Sequence, residues 1–419
     1  MAQGLPIPDA SPPSSKVEFP LSFSQERLWF LDHLEPGNPV HNLALACRMI
    51  GRLDLAALER SVNEIVRRHE ILRTTFPYVG GRPSLVIQED LFLVLKDVDL
   101  RSFGQSDRET VTRQLIIEES RIPFDLARGP LIRVCLFRLS EDDRVCLVVM
   151  HRIISDDISL EIFFRELWLI YEALADERSF HLADLPAQYS QFSIWQRQHL
   201  GRGSLEKQRA YWKEQLANSP PGLQLATDFP RQSKRTYRGS TARVALSQSL
   251  SIILRRVCLQ EKVSPFILFL TAFTVLLYRY TEQDDILVGA TVHGRNRPEF
   301  EPLIGCFAQS LPLRMDLSED LGFRELLSRI GQTASEGILN QDFSYEEMLK
   351  EFEIERDLNR EPLFQVRFQL RVGGTFPVIR PELKLEAFEF DLGMIPYDLV
   401  LEVMEKPEGF YCDLHCNEA

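Results

Sequence analysis

Apolar positions along this chain follow a two-residue period in some stretches and a helical one in others, and the switches predict its elements. The run Val145-Cys146-Leu147-Val148-Val149-Met150 is apolar on both alternating faces, as a buried central strand should be. Soon after it, Leu160, Phe163, Phe164, Leu167, Tyr171 and Leu174 recur at helical spacing. The polar heptapeptide between them, His151-Arg152-Ile153-Ile154-Ser155-Asp156-Asp157, is therefore a strand-to-helix turn, a place where side chains are held rigidly. Upstream, Leu55, Leu58, Val62, Ile65 and Val66 form one helix face with Asp54 as its cap, and Ile71 to Phe76 turns β-like.

The charged, irregular stretch from Asp176 to Pro186 reads as a boundary. Beyond it the pattern predicts a helix around Leu205 to Leu216 and strands at Ile286–Val292, near Leu363–Leu370 and near Asp398–Val403. Ser264 and Pro265 open an apolar helix as cap and first helical residue. That apolar run, Phe266 to Tyr280, is short of the ~20 residues that span a bilayer, and it reads as a buried helix. Helices alternate with strands in both halves, which indicates an α/β protein. The division expected is a Pro- and Ser-rich linker at 1–20, a first lobe at 21–180 and a second at 181–419.

Composition narrows the function. A net charge of −13 argues against nucleic acid or an anionic membrane as the main partner. The basic group Arg231, Lys234, Arg235 and Arg238 reads as solvated surface. Seven scattered cysteines give no disulfide framework. Cys412-Asp413-Leu414-His415-Cys416 offers only three clustered Cys or His ligands on an alternating, strand-like stretch, so neither a metal nor any other cofactor is expected. The N-terminus lacks a basic region followed by an apolar core, and a cytoplasmic protein is expected.

The heptapeptide resembles the His-His-x-x-x-Asp-Gly turn of the condensation domains of nonribosomal peptide synthetases. In that family the second His positions or deprotonates the amine that attacks a carrier-bound thioester. Here Arg152 replaces that His, and Asp157 replaces the Gly. A guanidinium stays protonated and has no acceptor atom, so Arg152 is no general base. Other segments resemble the family's motifs in its order: Ser22 to Leu31, Arg68 to Phe76, Tyr189 to Gln196, Gly294 to Arg314, and Arg356-Asp357 followed by Pro362 to Val366. Two departures accompany them, Phe307-Ala308-Gln309 for Phe-Val-Asn, and Asn340 to Glu346 for His-Gln-Asp-x-Pro-Phe-Glu.

The form His-Arg-x-x-x-Asp-Asp is similar to the X-domains of glycopeptide-antibiotic synthetases. The resemblance implies two chloramphenicol-acetyltransferase-like lobes arranged as a V. It also implies a module without peptide-bond activity that recruits cytochrome P450 oxygenases to a peptide on the adjacent peptidyl carrier domain, where they crosslink aromatic side chains. The excised module is expected to be monomeric. An active condensation, epimerisation or acyltransfer domain is the alternative, and a structural spacer the third reading. At the turn, His151 is expected to pack behind the site. Asp156 is expected to pair with an arginine: Arg295 is the first choice and Arg152 the competitor. With two carboxylates at 156 and 157, Arg152 is also expected to form a compensated cluster.

Overall fold

The computed structural model describes residues 19–200, 205–220, 222–227, 236–352, 361–373 and 382–418. The opening residues 1–18, Arg231, Lys234, Arg235 and Arg356-Asp357 lie outside them. Contacts divide the chain into two units, each discontinuous in sequence. The first comprises residues 1–202, 295–307 and 375–392, and the second comprises 203–294, 308–374 and 393–419. This differs from a single cut at residue 180. Helix Tyr189–Leu200 belongs to the first unit because its aromatic residues Tyr189, Phe192 and Trp195 are buried in that unit's core.

The first unit is built on a five-stranded sheet. Its order is Leu383–Ala387, Asn42–Gly51, Asp143–His151, Ile132–Ser140 and Lys96–Asp99. All neighbours are antiparallel except the last pair. The two-sided apolar run at 145–150 is the middle strand, and it is fully buried. Helices Leu55–Arg68 and Asp157–Ala175 pack on one another. Asp54 caps the first, accepting from the Ala57 amide at 2.9 Å. Ile71 to Phe76 is less extended than the pattern predicts: Glu70–Arg73 is a 3-10 turn, and only Thr74–Thr75 pairs as strand. The Thr74 hydroxyl closes this turn on the Glu70 carbonyl.

The second unit carries a six-stranded sheet, in the order Gln309–Asp316, Asp285–Val292, Val366–Val372, Leu399–Lys406, Gly409–Asn417 and Gly239–Ala245. Its core forms where Phe266 and Phe273 of helix Pro265–Thr281 meet Phe368, and Phe269 meets Phe410. Ser264 caps that helix and Pro265 opens it. Gly289 is required here: a Cβ on it would lie 2.1 Å from the Phe364 ring. Among the described residues no single helix is long and apolar enough to cross a membrane. Helices Gln248–Glu261 and Pro265–Thr281 qualify only as a pair, bent by 105°. Strand Gly409–Asn417 ties Asp413 to Arg243 and His415 to Thr241.

Candidate functional site

The heptapeptide leaves the sheet at His151, the last residue of the central strand of the first unit. Its first step is fixed by backbone bonds: Arg152 N–H donates to the His41 carbonyl at 2.8 Å, and Ile154 N–H to the His151 carbonyl at 3.0 Å. The Ser155 hydroxyl also donates to the His151 carbonyl, at 3.1 Å. Asp156, in extended conformation, then caps helix Asp157–Ala175 by accepting from the Ser159 amide at 2.8 Å. This is the ordinary use of Asp before a helix, where the first amides lack intrahelical partners.

Asp156 does more than cap. Arg295 grips it with both arms of the guanidinium, Nη1 to Oδ2 at 2.6 Å and Nη2 to Oδ1 at 2.9 Å. The Ser159 hydroxyl reaches Oδ1 at 2.7 Å, and the Phe307 amide donates to Oδ2 at 3.2 Å. The pair is deeply buried, the side chains being 2% and 5% exposed for Asp156 and Arg295. Arg295 also donates to the Leu303 carbonyl and lies over the Phe307 ring, 4.4 Å from its centre. A buried charge needs this density of partners, because an unpaired one costs several kcal/mol.

Segments far apart in sequence meet around this fork. Ser159 Oγ accepts from the Gly305 amide at 3.0 Å. Gly305 must be glycine, since a Cβ there would lie 2.0 Å from the Tyr189 ring. Tyr189 donates its hydroxyl to the Cys306 carbonyl at 2.8 Å and meets Ser22 Oγ at 3.0 Å. Burial pushes its phenol well above the usual tyrosine range. Its ring and those of Phe192, Trp195, Phe300 and Phe307 form one aromatic cluster, with centroids 4.7–5.5 Å apart along it. Gln25, fully buried, donates to the Ile153 carbonyl at 3.1 Å and so joins the opening motif to the turn. The second motif meets the same helix further along. There Glu166 receives His69 at 2.9 Å and Arg68 at 3.3 Å. Burial would raise the Glu166 carboxyl, but the bonds and charges of His69 and Arg68 outweigh it and hold the group below the usual range.

His151 is 2% exposed and packs edge-on against His41 and Phe124. Its Nδ1 accepts from the Ile153 amide at 3.1 Å. Burial, assisted by the Arg152 charge, pushes its pKa down to about 3, so the ring is neutral. With Nδ1 acting as acceptor, the proton sits on Nε2.

The structure therefore brings together Asp156 and Arg295, but not Arg152 with either aspartate. No ion pair or hydrogen bond joins Arg152 to Asp156 or Asp157 among the described residues, so the compensated cluster does not form. The physical reason is that Arg295, Ser159 and the Phe307 amide already fill the Asp156 oxygens. Chemically, the turn presents a permanent cation at 152, a neutral imidazole with one nitrogen occupied and the other protonated, and a carboxylate saturated by five donors. None of these is a free base. The departures at 309 and 340–346 fall in the second unit. Gln309 opens strand Gln309–Asp316 with its side-chain Oε1 buried and unpartnered among the described residues. Asn340 and Ser344 cap the helices on either side of Gln341-Asp342-Phe343.

Periodicity and caps do not single out Gln25, Ser159 or Gly305, although Gln25 and Gly305 fall inside family-like segments. Ser159 had a signal, three residues after the capping Asp156. The close approach that requires Gly305 has none in a single sequence.

Comparison with known proteins places these features. The family model "Condensation domain" matches residues 15–419. A linear gramicidin synthase of Brevibacillus parabrevis is 42% identical over 420 residues. The match takes in 100% of this chain and 8% of that protein, so the chain spans less than a tenth of its relative's length. Among solved structures, the X-domain from teicoplanin biosynthesis superposes with a TM-score of 0.85 at 28% identity, covering 98% of this chain and 92% of that one. A complex of the X-domain with OxyB gives 0.84 at 28%, covering 98% and 90%.

Proposed function

The chain belongs to the condensation-domain family and has its α/β fold, and from that premise we propose that it is a member which has given up base-assisted condensation. On this reading it is a non-catalytic module of a peptide synthetase, and it recruits cytochrome P450 oxygenases to peptide held on the adjacent carrier domain. The observation that carries the reading is Arg152, a guanidinium where the family's imidazole would stand, on a turn whose Asp156 carboxylate is held by five donors. Loss of a positioned base removes on the order of 10²–10⁴ in rate. The likeness to an X-domain seen in complex with OxyB supports the partner assignment. Tethering of the peptide beside the recruited oxygenase would raise its effective concentration, so modest affinity suffices.

A second reading, an active condensation domain, is favoured by the 42% identity to a gramicidin synthase. Amide formation from an amine and a thioester needs mostly positioning and charge stabilisation, so turnover without the base is chemically possible.

Two measurements separate the readings. The first is calorimetric titration with the P450 oxygenases encoded beside its synthetase, with an unrelated P450 as control. The second is a condensation assay with carrier-bound donor and acceptor, run on wild type and on Arg152→His. Micromolar one-to-one binding, with no amide formed by wild type, is expected. Robust amide formation by wild type together with no binding would overturn the proposal in favour of the active domain.

A further inference from the structure

Behind the turn, three buried polar atoms lack a partner among the described residues, His151 Nε2, Asn42 Oδ1 and Ser120 Oγ, and beside them Arg133 Nε has no hydrogen bond but lies 3.8 Å from Glu119 Oε1, which already balances its charge. Their placement is constrained. Asn42 and His151 are directly opposed across adjacent antiparallel strands, so their side chains share one face of the sheet. The Asn42 amide nitrogen spends both protons, on the Ser120 carbonyl at 2.8 Å and the Ile122 carbonyl at 2.9 Å. That fixes which end of the carboxamide is oxygen, since a flipped group would set carbonyl against carbonyl. Ser120, whose carbonyl takes one of these bonds, is itself 1% exposed. The set thus holds a donor on His151, an acceptor on Asn42 and a hydroxyl that can be either.

An anion would be repelled by the Asn42 oxygen, and a cation would find the His151 N–H unusable. A water molecule satisfies all three, and a buried water ordinarily makes two to four such bonds. We propose that His151, Asn42 and Ser120 form a built site for one internal water, which accepts the Nε2–H that the Ile153 amide's bond to Nδ1 already dictates. His151 is then a positioning residue: its Nδ1 stays bare to accept the Ile153 amide, and that bond sets the path of the backbone through Arg152. This inference is independent of whether the domain condenses amines, because it concerns the turn and not its reaction.

The test combines a high-resolution crystal structure with long-range proton–nitrogen spectra of histidine-labelled chain, the His151 signals being assigned by a His151→Gln variant. The expected result is one ordered water within hydrogen-bond reach of the three atoms, and a single Nε2–H tautomer for His151 at neutral pH. Ser120→Ala should speed exchange of that proton with solvent several-fold, and Ser120→Thr, which keeps the hydroxyl, should restore the slow rate. A merely space-filling imidazole would not respond to Ser120. A direct bond between His151 and Asn42 with no water, an Nδ1–H tautomer, or an exchange rate indifferent to Ser120→Ala would each overturn the proposal.

Discussion

Replacing Arg295 with Met keeps most of the side chain's length and removes its charge, and it isolates what the Asp156 fork contributes. Asp156 would remain 2% exposed with its capping bonds from Ser159 and the Phe307 amide, but without a cation. Breaking one side of a buried pair costs about 3–5 kcal/mol. Three surviving donors soften the loss, so the lower end, about 3 kcal/mol, applies here. For a unit of this size each kcal/mol moves the melting temperature by about 2–4 °C, giving a fall of about 6–12 °C. Because the chain contains two units, the readout is the shift of the calorimetric transition and not one unfolding free energy. Adding Asp156→Asn removes the stranded charge while leaving a carboxamide oxygen to cap the helix. The double variant should therefore lie well above the sum of the two single losses. A fall below about 2 °C for Arg295→Met, or simple additivity in the double variant, would refute the reasoning.

Four further outcomes are expected. Arg152→Leu should leave the melting temperature nearly unchanged, within about 0.5 kcal/mol, because the guanidinium has no partner among the described residues. The folded His151 pKa of about 3 lies below its unfolded value, so its contribution to stability is complete above the unfolded pKa of about 6.5 and is lost as pH falls toward 3. His151→Gln should accordingly flatten the acid limb of stability against pH by about 1.4 kcal/mol per unit between those limits, and parallel limbs would count against it. Gly305→Ala should cost about 1–3 kcal/mol by thermal melting, since its Cβ would lie 2.0 Å from the Tyr189 ring. Gly289→Ala should do the same in the second unit, against Phe364 at 2.1 Å.

Local elements were legible in the sequence because their signals are local. The central strand, the helix from Asp157, the Ser264-Pro265 start and the strand beginning at Asp285 all follow from periodicity and caps. The Asp156–Arg295 pair is not legible in spacing, since nothing there links residues 139 apart; Arg295 stands as first choice over Arg152 only as an arginine inside a family-like segment. Unit membership was not legible. Leu383, Leu385 and Ala387 alternate like any strand residues, yet nothing in that pattern says they pair with Met49, Cys47 and the rest of Asn42–Gly51. A boundary at 180 follows from the charged, irregular stretch alone. The helix that follows is held by buried aromatic contacts whose partners, Phe300 and Phe307, arrive a hundred residues later.

The discontinuity of the first unit has a consequence for how the protein is made. A ribosome adds roughly 5–20 residues per second, so Arg295 emerges about 7–28 s after Asp156. Strand Leu383–Ala387, which covers the free side of Asn42–Gly51, follows later still. Throughout that interval the nascent amino-terminal half carries a carboxylate awaiting its cation, an aromatic cluster missing two rings and an unpaired strand edge. Such a chain is a natural client for holding chaperones. A fragment ending near residue 202 should accordingly be recovered as aggregate, although its sequence contains every residue of the turn from His151 to Asp157.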